Sequence, residues 1–182
     1  PRQLEQEQLT FQYLIGHINR HRPECIVDIG TGRGMFLLAL LDGLTYEPGI
    51  VCLDRSITAL AFDRLKVRRA GTPCRVSYLA ADIGAMPLRE GSIPLITSYF
   101  GLANMDGGTI PAGIEEAHRV LSDGGCMLDG TDVFRPGSAS LEAIEGLWAA
   151  QEKRVAHNYF GEVDIVTIYE DSPFGSVELE VL

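Results

Sequence analysis

The sequence predicts an α/β domain: a doubly wound, seven-stranded sheet, mostly parallel with an antiparallel last strand, and helices on both faces. Three observations predict it. Short apolar segments of strand length alternate with segments of helical length and period. The strands are nearly continuous apolar runs, as expected for strands covered on both faces. Only the turn Ser172-Pro173-Phe174-Gly175 joins the last two, too short for a parallel crossover, so the final strand should run antiparallel.

In chain order, residues 4–19 place Leu4, Leu9, Tyr13, Leu14 and Ile18 on one helical stripe, and Pro23 ends that helix. Cys25–Ile29 is the first strand. Residues 34–44 form a helix apolar nearly all round, which should lie buried against the sheet. The turn Pro48-Gly49 opens a second strand at 50–53. Ser56 caps the next helix and Gly71 ends it. Strands at 76–80 and 95–98 follow. A helix at 111–121 stops near Gly124-Gly125, and a fifth strand begins over 126–128. A helix at 140–154 precedes the last two strands, 163–169 and 177–182. The whole reads as one domain, 1–182, with an N-terminal helix over 1–22, a core over 25–132 and a C-terminal helix and strand hairpin over 133–182.

A chain of 182 residues suits one full hydrophobic core, and 46% hydrophobic with 22% charged residues is ordinary globular composition. The formal net charge of -10 disfavours a nucleic-acid partner, which usually requires a basic footprint. The basic stretches Arg20 to Arg22 and Arg64 to Arg69 are local, and the second reads as a solvated helix face. No apolar run approaches the length that spans a bilayer. The N-terminal apolar residues are interleaved with Glu, Gln, His and Arg, unlike a secretory signal. Cys25, Cys52, Cys74 and Cys126 form no CxxC pair and lack finger-spaced histidines, so reduced thiols and no metal are expected. Together these point to a cytoplasmic location.

The chemistry gathers at strand ends. The first strand runs into Asp28-Ile29-Gly30-Thr31-Gly32-Arg33-Gly34. Glycines at Gly30, Gly32 and Gly34 supply positive φ and let a ligand approach the main chain. The GxGxG spacing, with an acid two residues ahead, misses the third glycine of the dinucleotide fingerprint, where Met35 stands. The second strand ends at Asp54, followed by Arg55; a carboxylate there can accept from both hydroxyls of a ribose. The third ends at Asp82-Ile83, where an acid can accept from an exocyclic amine and Ile83 can pack on the ring.

These segments resemble the cofactor-binding motifs of class I S-adenosylmethionine-dependent methyltransferases. Residues 95–105 (LITSYFGLANM) and 114–125 (IEEAHRVLSDGG) are similar to the ubiquinone/menaquinone C-methyltransferase branch. The likeness covers roughly 25–129. It implies a Rossmann-like fold, S-adenosylmethionine as cofactor and methyl transfer to a small-molecule acceptor. Asp28, Gly30, Thr31, Gly32 and Gly34 would hold the methionine end. Asp54 would bind the ribose with Arg55 beside the adenosine, Asp82 and Ile83 the adenine. Ser98 and Tyr99 would lie near the methionine moiety and the transferred methyl. Residues 133–182 would face the substrate. Two departures stand out: Pro94 where the family often has an acid, and Asp123 where it usually has proline before the double glycine.

In-line transfer needs positioning above all, and no special catalytic residue unless the acceptor must lose a proton. His157 and Tyr159 are then candidate bases, and Tyr99, Phe100, Phe134 and Phe160 candidate pocket walls. The loop 101–109 is short, so the site is expected to be open to a large acceptor or closed by a second subunit, as in a homodimer. Pro1 in place of an initiator Met also fits a chain trimmed of a lid. Alternatives are a non-catalytic module of the same fold, and a protein or nucleic-acid methyltransferase. The Asn-Pro-Pro-aromatic signature of nucleic-acid amino methylation is absent after the fourth strand. A nucleotide-cofactor oxidoreductase is a more distant alternative.

Overall fold

The structure, a computed structural model, describes residues 2–105, 109–131 and 167–178, with backbone alone for 2–6. Its elements run α1 (Arg2–His21), β1 (Cys25–Ile29), α2 (Met35–Gly43), β2 (Gly49–Asp54), α3 (Ile57–Ala70), β3 (Arg75–Ala80), a 3₁₀ turn (Ile83–Ala85), β4 (Ile93–Tyr99), α4 (Ile110–Val120) and β5 (Leu121–Gly130). Local chemistry explains several boundaries. Ser56 Oγ accepts from the Ala59 amide at 3.2 Å and caps α3, while Gly71 closes it in the left-handed conformation. Pro111 sits in the first turn of α4, where its missing N–H costs nothing.

The strands pair in the order β3-β2-β1-β4-β5, every pair parallel. The order reverses beside β1, and in open sheets of this kind ligands bind at such a switch point, outside the carboxyl ends of the strands, here β1 and β4. One face of the sheet packs Ile26, Ile50, Cys52 and Leu95 against α1, α2 and α3, through Ile18, Leu37, Leu40 and Leu60. The other packs Val27, Ile29, Leu53 and Ile96 against α4 and the 3₁₀ turn, through Ile83, Ile114 and Ala117. All four cysteines are free thiols. Arg64, Arg68 and Arg69 face solvent on α3. No helix among the described residues is long and apolar enough to cross a membrane.

Two expectations need correction. Among the described residues the sheet has five strands, not seven, and none is antiparallel. Residues 167–170, expected to finish a strand over 163–169, form a helical turn closed by the Asp171 amide on Thr167 O at 3.0 Å. β-branched composition misleads there. Adjacent residues Ile168 and Tyr169 both pack on the α4-side core, which a strand's alternation forbids. Val177 and Glu178 lie outside any strand. The helix at 140–154 and residues 163–166 and 179–182 lie outside the described residues. A smaller difference concerns β5, which starts directly after α4. Residues 122–125, with Gly124 at positive φ, loop out between the pairs Ile93↔Leu121 and Leu95↔Cys126.

Candidate functional site

The loop from β1 to α2 is built by glycine. Gly30, Gly32 and Gly34 have φ of 64°, 57° and 67°, a region closed to most side chains. Its amides are tied to the end of β2: Gly30 N–H donates to Leu53 O at 2.8 Å and Gly32 N–H to Asp54 Oδ2 at 2.8 Å. The Gly34 amide turns back to Thr31 O at 2.9 Å. Gly30 also allows the β1 and β4 ends to touch, since a Cβ there would lie 2.5 Å from Gly101 Cα.

Gly34 is the N-cap of α2, and no side chain caps that helix. The first amides of α2 thus lack both an intrahelical acceptor and a cap, and they present partial positive charge at the rim. Asp54 uses each oxygen once, the second accepting from the Ser56 amide at 2.7 Å. A carboxylate has about four acceptor sites, so two remain for a ligand. Asp82 is exposed and accepts from the Gly84 amide at 2.8 Å. The Ala81 amide donates to Asp54 O at 3.2 Å, which brings the two acids' backbones side by side. Arg55 is exposed at the rim, and Ile83 is buried in the α4-side core.

Three expected residues turn inward. Asp28 is buried, its Oδ1 accepting from Thr97 Oγ1 at 2.8 Å. Burial, opposed by that hydrogen bond, pushes its carboxyl up to about 6. Ser98 is buried too, its hydroxyl accepting from the Leu102 amide at 3.4 Å. The Tyr99 ring packs edge-on against Phe11 at 4.7 Å and Phe100 at 4.6 Å, with Phe36 farther off. Phe100 itself has φ of 58°, a strained position for a bulky residue at the end of β4. Phe134, His157, Tyr159 and Phe160 lie outside the described residues. Hydrogen bonds therefore tie Gly30, Thr31 and Gly32 to the end of β2 at Leu53 and Asp54, and Gly34 to Thr31, while Asp28 lies buried in β1 and bonds to Thr97 instead. Asp82, Ile83, Arg55, Ser98 and Tyr99 stand around this loop.

Sequence reasoning missed three groups. Thr97 lies opposite Asp28 in the β1–β4 register, a pairing no local pattern reveals. Asp129, paired in register with Ser98, accepts from the Tyr169 hydroxyl at 2.9 Å, and burial raises its carboxyl above the usual range. Asp63 did leave a signal: it occupies the buried stripe of α3 between Leu60 and Val67, where helical period demands an apolar residue.

The comparisons agree with this geometry. A methyltransferase domain family matches residues 26–125. A ubiquinone/menaquinone biosynthesis C-methyltransferase from Methylobacterium nodulans is 32% identical over 112 residues, which cover 60% of this chain and 42% of that protein. The chain therefore spans less than half the length of such relatives. Among solved structures, the S-adenosylmethionine-dependent methyltransferase SibL superposes with TM-score 0.75 at 19% identity, over 94% of this chain and 50% of SibL. A geranyl diphosphate methyltransferase in complex with S-adenosylmethionine superposes with TM-score 0.67 at 18% identity, over 94% of this chain and 65% of that one. At such identities the structural matches speak for the fold.

Proposed function

Because the chain belongs to the methyltransferase domain family, we propose that it binds S-adenosylmethionine at the carboxyl rim of β1–β4 and methylates a small molecule. One observation carries this reading: a loop of three left-handed glycines, the middle one bonded to the acid that ends the next strand, lies beside a helix N-terminus that no side chain caps. That donor set fits the cofactor group by group. The free amides of α2 suit an amino-acid carboxylate. Asp54, with two unused acceptor sites, suits the ribose hydroxyls. Asp82 suits the adenine amine, with Ile83 beneath the ring and Arg55 alongside. Asp28 supports the loop from within the sheet, through its place in β1 two residues before Gly30.

When bound, the cofactor supplies a methyl group already activated on a sulfonium sulfur. The chain's own task is to hold the acceptor in line and exclude water. Such positioning is worth about 7 to 11 kcal/mol in favourable cases. Ser98 and Tyr99 form the floor where β4 meets β1, and the strained Phe100 caps it. The named activity of the Methylobacterium relative supports a carbon acceptor on a quinone-like ring. Such an acceptor is flat and apolar, and the short β4 loop leaves a second subunit to cover it.

The test is calorimetric titration with S-adenosylmethionine and S-adenosylhomocysteine, for wild type and Asp54→Ala. Wild type should bind both. The variant, shown by its melting curve to be folded, should bind at least about tenfold more weakly, a loss of 1.4 kcal/mol or more. Folded wild type that binds neither compound would refute the reading.

A further inference from the structure

One carboxyl near the site has no role in the account above. Asp63 is fully buried, and neither of its oxygens has a hydrogen-bond partner among the described residues. A buried polar group left unpaired is costly, so its persistence asks for a reason. Its position supplies one. A Cβ on Gly34 would lie 2.5 Å from Asp63 Oδ1 and 2.9 Å from its Cγ, so the carboxyl fills the space that glycine leaves open. One turn along α3, Lys66 Nζ donates to Arg33 O. The same helix thus touches two consecutive residues of the loop, one by packing and one by a hydrogen bond.

We propose that Asp63 is a positioning residue of the cofactor site: a carboxyl wedge that, with the Lys66 tether, holds residues 30–34 in the shape that receives the ligand. The groups facing it are Asp28 on β1, Cys52 and Asp54 on β2, Tyr78 on β3 and Lys66 on its own helix. Burial pushes the Asp63 carboxyl up to about 7; Lys66 pulls it down and the acids Asp28 and Asp54 push it up. Neutral Asp63 fits the wedge. Ionised Asp63 carries two unsatisfied oxygens towards two acids and must draw water in beneath the loop. The loop's grip therefore weakens as pH rises through about 7.

Two readouts test this in the whole chain, comparing wild type, Asp63→Asn and Asp63→Ala at pH 6 and pH 8.5. The first is hydrogen exchange of the Gly32 and Gly34 amides, corrected for intrinsic rates; it needs no ligand. The second is calorimetric affinity for S-adenosylhomocysteine, which lacks the sulfonium charge and so adds less direct attraction to the acids than S-adenosylmethionine; this arm alone rests on the cofactor reading. In wild type, exchange should quicken and affinity fall by about fivefold or more between the two pH values, the lower end of coupling between linked sites. Asp63→Ala should show the loosened behaviour at both. Asp63→Asn, which keeps the shape without the charge, should restore the tight behaviour at both. Equal exchange rates in all three proteins, unchanged by pH, would overturn the proposal. If the exchange pattern appears while wild type binds no ligand, the wedge stands and the cofactor reading falls.

Discussion

Replacing Gly30 with alanine puts the contact between the β1 and β4 ends to a quantitative test. The new Cβ would sit 2.5 Å from Gly101 Cα, a backbone atom that no rotamer change can move. Carbon atoms settle near 3.5–4.0 Å, so the two loops must part by about 1 Å. Overpacking of that kind costs about 1–3 kcal/mol. The left-handed φ of 64° adds about 1–2 kcal/mol for a residue with a Cβ. The sum, about 2–5 kcal/mol, lowers the melting temperature by roughly 4–20 °C for a chain of this size. Gly71→Ala is the control. Its φ of 68° is equally left-handed, but a Cβ there meets nothing within 4 Å, so it carries the conformational cost without the crowding. A second arm uses Gly101→Ala, whose Cβ would press on the Ile29 carbonyl at the same contact. One separation relieves both clashes, so the double variant should lose less than the two single losses added together. Urea unfolding at one pH gives all the numbers. Gly30→Ala as stable as Gly71→Ala, or full additivity in the double variant, would refute the close approach.

Three further outcomes follow from buried and part-buried polar groups. Thr97→Val removes the donor to Asp28 Oδ1 and should cost about 1–3 kcal/mol at pH 8, where Asp28 is ionised, and less at pH 5. Because the folded carboxyl is raised to about 6, its contribution in wild type is full below pH 4 and is lost as pH climbs through 6. A Thr97→Val loss that is the same at both pH values would contradict this. Glu116→Ala frees the Met86 amide, held at 2.7 Å, and the Arg119 guanidinium that also binds Met86 O and Leu88 O. It should cost about 1–3 kcal/mol in urea unfolding. The Arg119 hydrogen bond holds the Glu116 carboxyl below its usual range, so the cost should fade only when pH drops below the ordinary glutamate range. Tyr169→Phe keeps the ring and deletes the bond to Asp129 Oδ2. A loss of about 1–3 kcal/mol is expected in chemical unfolding, and none would mean the pair is not formed.

Much of the candidate site is legible in the sequence because its signals are local. Three glycines in five residues, and an acid at each strand end, need no tertiary information, and the structure sets Gly32 on Asp54. The caps Ser56 and Gly71 were readable for the same reason. What was not legible depends on partners distant in sequence. Thr97 becomes the donor to Asp28 only through the β1–β4 register, and Asp129 meets Tyr169 across the α4 face. Residues 167–170 looked like a strand because β-branched composition dominates a short window, and packing decided otherwise. Tyr99 enters the candidate site through the resemblance alone, and no sequence pattern shows that its ring, at the end of β4, packs on Phe11 of α1 and Phe36 of α2. Asp63 was visible in principle, as a charge on an apolar stripe, once the period of α3 was counted residue by residue.

The strand order also governs how the chain is completed as it leaves the ribosome. Residues up to the end of β3 already hold β1, β2, β3 and the glycine loop with its ties to Leu53 and Asp54. That half can form while the rest is still being made. The other edge of β1 has no partner until β4 emerges, and Thr97 lies 69 residues beyond the Asp28 it serves. During that interval a central, apolar strand presents an open edge, the kind that pairs with the wrong neighbour. Slowing translation between β3 and β4 should therefore lower the yield of folded domain without changing the stability of the finished fold.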